Sequence, residues 1–265
     1  MGILADKRIL VTGLTATNSI AFHTAQVAQQ EGAKVVVSNF GRAMRMTRRA
    51  AAKLDPVPEV LELDVTDETH LASLAERVEP ILGGLDGVVH SIGFADPFKA
   101  MGGRFLSTEW EDVAVSMRIS AYSLAALARA CLPIMTAGSA LVGMSFQANV
   151  SWPSYDWMGV SKATLEAVSR YLARYLGPQG IRSNIISAGP VNTLSKRSIP
   201  LLQDQDRMWQ LRAPLFWDAD DATPVAKAAC ALLSDFFPAT TGEIVHVDGG
   251  FHSTGVMPNS GLARP

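Results

Sequence analysis

Little in this chain marks it for secretion, for a membrane or for nucleic acid. It has two cysteines in 265 residues, Cys131 and Cys230. Both lie in apolar helix-like runs, LARACLPIM and AKAACALLSD, so buried free thiols in a reducing compartment are expected. The amino terminus, MGILADKRILV, runs almost at once into a strand pattern, without the apolar core of ~7–15 residues and the small-residue cleavage site of a secretion signal. The longest apolar stretch, Ala121 to Met135, is cut by Arg129 and falls short of the ~18 residues of a membrane span. Charged residues make up 18% of the chain and sum to −2, which leaves no global positive field to hold a nucleic-acid backbone or an anionic bilayer. His23, His70, His90, His246 and His252 show no metal-ligand spacing, so no metal and no catalytic histidine are expected. The expectation is a cytoplasmic protein without nucleic-acid or membrane partners.

What is present is core-forming material. Hydrophobic residues make up 48% of the chain, enough for one large domain and incompatible with a disordered or fibrous chain. Ile9–Val11, Val35–Val37, Val60–Leu63, Gly87–His90, Ala140–Met144, Arg182–Ser187 and Glu243–Val247 read as seven strands whose continuous apolar character suits burial on both faces. Between them Leu71, Leu74, Ala75, Val78 and Leu82 recur at helical spacing, as do Val160, Ala163, Ala167, Val168, Tyr171 and Leu172. Repeated βα units predict a single α/β domain over 1–265: a Rossmann-like, doubly wound, seven-stranded parallel sheet flanked by helices. Its ligand crevice lies beyond the carboxyl ends of the strands. Residues 188–222 interrupt the rhythm at a length beyond an ordinary turn, and the stretch from about 190 to 222 is expected to be a substrate loop or lid. Rhythm resumes at Asp221-Ala-Thr-Pro224, which reads as an N-cap with proline in the first turn.

The first strand ends in Gly13, and Leu14-Thr-Ala-Thr-Asn18 leads into Ser19-Ile-Ala-Phe-His23, the opening of a helix. A small-residue loop at a helix amino terminus suits a pyrophosphate, because free N–H groups and the helix dipole face the anion. Gly-x-Gly-x-x-Gly is absent, so a dinucleotide site and a plain βα turn both stay open on this loop alone. Ala21 is small enough for close helix packing and Ser19 can add a hydroxyl donor. Strand two ends Ser38-Asn39-Phe40-Gly41-Arg42, without the acid that usually grips the ribose of NAD; Phe40 can lie against an adenine instead. Arg42, Arg45, Arg48 and Arg49 form either a phosphate-attracting group or a solvated helix face. Asp64-Val65 closes strand three, where the carboxylate accepts from an adenine amino group or caps the next helix. Ser91-Ile92-Gly93 ends strand four at the crevice, and glycine there lets backbone approach a ribose.

Tyr155 and Lys162 stand seven residues apart, close to two helical turns, so one helix face presents both if the helix includes Tyr155. A lysine near the nicotinamide ribose binds its hydroxyls and lowers the phenol's pKa, which makes Tyr155 a better donor to a developing oxyanion. Tyr122, Tyr171 and Tyr175 read as helix packing residues.

Gly13…Ser19-Ile-Ala, Leu61-Glu-Leu-Asp-Val65, His90-Ser-Ile-Gly-Phe94, Ser120-Ala-Tyr122, Tyr155…Lys162, Arg182-Ser-Asn184, Ala188-Gly-Pro190 and Ala239-Thr-Thr-Gly242…Asp248-Gly-Gly250 carry a resemblance over nearly the whole chain. Together they resemble the NADH-dependent enoyl-acyl-carrier-protein reductases of the short-chain dehydrogenase/reductase superfamily, in pattern nearest the mycobacterial long-chain type. Tyr-x6-Lys with Ser-Ile-Ala and Ser-Ile-Gly is specific to this branch; superfamily ketoreductases carry Tyr-x3-Lys, which fails here because position 159 is glycine.

The resemblance implies reduction of the trans-2 double bond of an enoyl thioester, on acyl carrier protein or coenzyme A, by hydride transfer from NADH to C3 as in fatty-acid elongation. Tyr155 then donates to the thioester oxygen, Lys162 holds the nicotinamide ribose, and Phe146 packs near the reacting carbons. Gly13, Ser19, Ile20, Phe40, Asp64, Val65, Ser91, Ile92, Gly93, Lys162, Gly189, Pro190, Val191 and Thr193 line the cofactor. The resemblance favours NADH; the missing acid and the nearby arginines keep NADPH open. It also implies a homotetramer, for which Phe251–Pro265 is a candidate contact.

The spacing has a chemical rationale. A ketoreductase tyrosine protonates oxygen on the carbon that receives hydride, whereas an enoyl thioester takes hydride two carbons from the carbon bearing that oxygen. Three extra residues move the donor by roughly 4.5 Å along a helix. Two features depart from the mycobacterial pattern: Ser145 stands where that type has an acid, and the loop after Thr193 is shorter, which predicts a medium-chain or specialised acyl substrate. Lys196, Arg197, Arg207 and Arg212 outweigh Asp204 and Asp206 in this loop, so it is either a docking site for an acidic carrier protein or a solvated lid. Ile199, Leu201, Leu202, Met208, Trp209 and Leu211 can cover an acyl chain. A ketoreductase or reductase of specialised metabolism, and a silent dinucleotide-binding regulator, are the alternative readings.

Overall fold

Apolar runs that lack a polar face can be stable strands only where helices cover the sheet on both sides, and that is the arrangement found. The computed structural model describes residues 2–197 and 203–255. Strands β1 (Arg8–Thr12), β2 (Lys34–Asn39), β3 (Glu59–Glu62), β4 (Leu85–His90), β5 (Met135–Ser145), β6 (Arg182–Ala188) and β7 (Ile244–Val247) form one sheet in the order 3-2-1-4-5-6-7. All neighbouring strands pair in parallel. The helices are α1 (Ile20–Gln30), α2 (Met44–Ala51), α3 (Glu68–Ala72), α4 (Leu74–Leu82), α5 (Trp110–Met117), α6 (Ser123–Cys131), α7 (Asp156–Leu176), α8 (Leu194–Arg197), α9 (Gln203–Arg212) and α10 (Thr223–Leu233).

Successive strand residues point to opposite faces. Ile9, Val11, Val37 and Val142 pack with Ala25 of α1, Ala50 of α2 and Ala229 of α10, while Leu10, Val36, Val88 and Leu141 pack with Val78 of α4 and Leu127 of α6. Leu74, Val78 and Leu127 are fully buried, each stabilising the fold by about 1.5–3 kcal/mol. The chain runs outward through β1, β2 and β3, then returns to place β4 against the other side of β1. That reversal opens a crevice beyond the carboxyl ends of β1 and β4.

Several local expectations are corrected. The helical pattern from Leu71 to Leu82 is two helices broken at Ser73, whose hydroxyl donates back to the Thr69 carbonyl at 2.8 Å. Strand β5 begins five residues earlier than its apolar run, because Thr136, Ala137 and Gly138 are exposed and carry no apolar signal. Asp221 lies one residue before the N-cap of α10, yet does the same work by accepting from the Thr223 N–H at 2.8 Å. Tyr122, Tyr171 and Tyr175 are 52%, 65% and 70% exposed, not packed, so their aromatic character does not report a buried helix face. Cys131 and Cys230 are free and buried, and burial pushes both thiols up to about 12. Among the described residues no helix is long and apolar enough to cross a membrane.

Candidate active site

The crevice is built first by glycine. Gly13, at the end of β1, has φ +78°, and a Cβ there would lie 2.2 Å from the Ser91 carbonyl oxygen. The loop from β1 and the exit of β4 therefore approach each other as only backbone can. Two side chains that carry no readable sequence signal hold the loop. Asn39 Nδ2 donates to the Leu14 carbonyl at 2.9 Å and Thr47 Oγ1 donates to the same oxygen at 2.6 Å.

Ser19 is the N-cap of α1 in extended conformation, and its Oγ accepts from the Phe22 N–H at 3.2 Å. The Ser19 hydroxyl hydrogen goes to the Ala16 carbonyl at 2.7 Å. The expected hydroxyl contribution to an anion is thus replaced by a structural one, and the amino end of α1 supplies the attraction.

Gly13, Ser19, Ile20, Ser91, Ile92, Gly93, Gly189, Pro190, Val191 and Thr193 all line one pocket with Phe146, Tyr155 and Lys162. Phe40, Asp64 and Val65 lie outside that pocket. Phe40 is 45% exposed beside the β2 exit. Asp64 Oδ1 accepts from the N–H of Thr66 at 2.8 Å and its hydroxyl at 2.7 Å, while Asp67 caps α3. Arg42, Arg45, Arg48 and Arg49 are exposed along α2, a solvated face.

Tyr155 precedes the first residue of α7 as its N-cap. Ser154 and Asp156, on either side of it, have φ +64° and +40°, left-handed conformations that cost non-glycine residues of order 1–3 kcal/mol each. Neighbouring loops hold this turn in place. The Asp156 carboxylate accepts from the Gly103 N–H at 2.7 Å and the Arg104 N–H at 3.1 Å, and the Gly102 N–H donates to the Ser154 carbonyl at 2.9 Å. A Cβ at Gly159 would lie 3.5 Å from the Tyr155 ring, so the position that holds lysine in Tyr-x3-Lys enzymes here lies beside the tyrosine.

Lys162 lies one α7 turn further in and donates to the Met144 carbonyl at 2.8 Å. A Cβ on Gly93 would come within 3.4 Å of its Nζ, so glycine keeps the ammonium open to the crevice. Burial lowers the Lys162 ammonium to about 8, against the opposing pull of Glu166. Glu166 is the i+4 neighbour of Lys162; Ser145 Oγ donates to its Oε1 at 2.8 Å, and burial raises its pKa. Ser145, which stands where the mycobacterial type has an acid, is thus bonded to an acid, and a carboxylate stays near the lysine. The i,i+4 Lys–Glu spacing was a readable signal.

Burial raises the Tyr155 phenol above its ordinary value. The expected lowering by Lys162 is overridden by desolvation, so Tyr155 is a neutral O–H donor across the physiological range.

A π-helical turn, Arg118–Tyr122, joins α5 to α6 and brings Ser120 Oγ to Phe94, accepting from its N–H at 2.8 Å and donating to its carbonyl at 2.9 Å. Such irregular turns recur at functional sites. His90 Nε2 meets Ser123 Oγ at 2.7 Å, and burial with the charge of Lys162 lowers the imidazole to about 3, so it stays neutral. Among the described residues no group of three or more His, Cys, Asp or Glu is placed to hold a metal.

The sequence profile of the family described as Enoyl-(Acyl carrier protein) reductase matches residues 13–252. The chain belongs to that family. It is 46% identical to the enoyl-[acyl-carrier-protein] reductase [NADH] of Mycolicibacterium smegmatis over 263 residues, 94% of this chain and 97% of the relative. Identity to the protein of the same name from Mycobacterium avium is also 46%, over 262 residues and the same shares. It is 36% identical to the enoyl-[acyl-carrier-protein] reductase [NADPH] FabI of Staphylococcus aureus over 256 residues, 94% of this chain and 98% of the relative.

The segment after β6 in this reductase-family chain is tied to the rest of the molecule. Asn18 Nδ2 donates to the Asn192 carbonyl at 2.7 Å, joining the β1 loop to the segment after β6. Lys196 pairs with Asp206 and donates to Asn192 Oδ1 at 2.8 Å. Arg212 donates to the Thr254 and Gly255 carbonyls and lies over the Phe251 ring at 4.2 Å. Lys196 and Arg212, two of the four cations read as either a carrier-protein docking site or a solvated face, are therefore engaged within the molecule. Arg207 is exposed. Ile199, Leu201, Leu202, the Arg197 side chain and residues 256–265 lie outside the described part of the chain.

Proposed function

We propose that this chain reduces the trans-2 double bond of an enoyl thioester with NADH. The observation that carries the reading is that Phe146, Tyr155 and Lys162 line the same pocket as Gly13, Ser19 and Gly93, with the tyrosine set at x6 spacing from the lysine. The cradle fits a dinucleotide: its closest approach is backbone against Gly13, and the amino end of α1 faces the place where a pyrophosphate binds. Gly13, Ser19, Ile20, Ser91 and Val191 would hold its central part, and Phe40, Asp64 and Val65 at the β2 and β3 exits its adenine end. NADH supplies the hydride that enters C3. Gly189, Pro190 and Thr193, in the same pocket, would border its nicotinamide.

Tyr155 donates its O–H to the thioester oxygen, where charge develops two carbons from the point of hydride entry. Lys162 would donate to the ribose hydroxyls and so hold the cofactor relative to that phenol. Phe146, its ring 5.4 Å from that of Tyr155, excludes water from the reacting carbons. A 3-oxo substrate would put its oxygen on the hydride-accepting carbon, the place served by a tyrosine four residues before the lysine; here that residue is Met158, which lines the pocket without an O–H to donate, so the ketoreductase alternative is disfavoured.

The whole chain acts as one domain, with residues from about 190 to 222 over the substrate. The thioester is carried by acyl carrier protein or coenzyme A, in the cytoplasm, on a homotetramer. The exposed Trp110, Tyr122, Tyr171 and Tyr175 on α5, α7 and the turn after α5 support a subunit contact, which light scattering tests. NADH is preferred over NADPH, in line with the names of the two mycobacterial relatives.

NADH binding carries a pH signature. Lys162 is charged below about 8, and its ammonium is a stronger donor than the neutral amine, so linkage makes NADH weaker at pH 9 than at pH 7, by up to about tenfold. The Glu166 charge raises the Lys162 pKa, so Glu166→Gln moves the break to lower pH, and Lys162→Met flattens it. Fluorescence titration of NADH binding against pH checks this; an unshifted break in Glu166→Gln contradicts it.

A further inference from the structure

Behind Phe146 lies a group of packed aromatic rings. Phe146 lies 5.3 Å from Trp152 and 5.5 Å from Trp209. Trp152 and Trp209 are 5.1 Å apart, and Trp209 lies flat on Phe251 at 3.7 Å and 7°. Trp209 is fully buried and Phe251 is 3% exposed. The Arg212 guanidinium closes the far side of the Phe251 ring. Gly189 leaves space for this stack, since a Cβ there would lie 3.0 Å from Trp209 Nε1 and 2.7 Å from Trp217. On its other flank Tyr155 packs with Ala95, Ala100 and Met101, all buried.

Of these rings Phe146 lines the pocket, so an acyl tail passing Phe146 would meet Trp152 and Trp209 directly behind it. Each ring is held by the next, and Trp209 is carried on α9 with Arg212 anchoring the same helix to the 254–255 backbone.

We infer that Trp152, Trp209 and Phe251 form an end stop that restricts this enzyme to 2-enoyl thioesters with short or compact acyl groups. Trp152 and Trp209 set the limit. The inference rests on the enoyl reductase reading and narrows its substrate class; it goes further than the shortened lid, because it names the side chains that exclude a long chain.

The test is kcat/KM for the trans-2-butenoyl, trans-2-octenoyl and trans-2-hexadecenoyl thioesters, in wild type and in Trp152→Ala, Trp209→Ala and the more conservative Trp152→Met. Wild type is expected to prefer butenoyl to hexadecenoyl by about 100-fold, and each variant to raise the hexadecenoyl-to-butenoyl ratio about tenfold, in the range that pocket misfit produces. NADH binding by fluorescence identifies variants that fold, and Trp152→Met keeps most of the buried volume if an alanine variant does not. Equal use of hexadecenoyl by wild type, or ratios unchanged in folded variants, overturns the end stop while leaving the reductase intact. No turnover of any enoyl thioester overturns the reductase reading itself, and the end stop with it.

Discussion

Tyr155→Phe is expected to lower kcat for a trans-2-enoyl thioester about 10²–10³-fold, the loss found on removing one oxyanion donor, while NADH affinity stays within about twofold. The ring remains and only the O–H goes. The phenylalanine keeps the packing against Phe146 and against Ala95 and Met101, so the fold has no reason to move. The raised pKa of the phenol means that the wild type uses a neutral donor, and the rate should be independent of Tyr155 ionisation up to pH 9. Steady-state kinetics with a separate NADH titration checks both halves. A KM effect with unchanged kcat would show that Tyr155 merely binds substrate.

Gly13→Ala is the second large effect. Gly13 and Gly83 have φ +78° and +77°, so alanine pays the same left-handed cost at both, about 1 kcal/mol. At Gly83 nothing lies within 4 Å of the new methyl, whereas at Gly13 it would meet the Ser91 carbonyl oxygen at 2.2 Å and carbon at 2.9 Å. Backbone at the β4 exit must move, and with it Ser91, Ile92 and Gly93. Gly13→Ala is therefore expected to lose NADH binding by about 100-fold and at least about 3 kcal/mol of stability, and Gly83→Ala to lose about 1 kcal/mol with NADH affinity unchanged. Denaturant unfolding and NADH titration of the two variants compare them directly. Equal losses would mean that the close approach at Gly13 does not matter.

Strands β1, β2, β4 and β5 were readable because burial on both faces leaves apolar runs, whereas β3 and β7 at the sheet edges hold no buried residue and were placed by the alternation of strands and helices, from which the crevice also followed. The residues at strand ends, such as Gly13 and Gly93, were readable because the chemistry of a cradle requires small residues there. What could not be read depends on partners remote in sequence. Asn39 and Thr47 hold the Leu14 carbonyl from 25 and 33 residues away. Asp156 pins a turn more than fifty residues earlier. Trp152 and Phe251 become one wall only after β5, α9 and the end of β7 converge. The phenol's pKa was misjudged in direction because charge proximity was visible in the spacing and desolvation was not. The exposed tyrosines were misjudged because helical spacing tells which residues share a face and not whether anything covers it.

The most direct test of the account is to incubate the enzyme with trans-2-butenoyl thioester and NADH carrying deuterium at the transferable position of the nicotinamide, and to locate the label by mass spectrometry. The account predicts a saturated butanoyl thioester with one deuterium at C3, formed at the rate of NADH oxidation. NADH oxidation with 3-oxobutanoyl thioester but not with the enoyl compound, or a product without deuterium at C3, would contradict it.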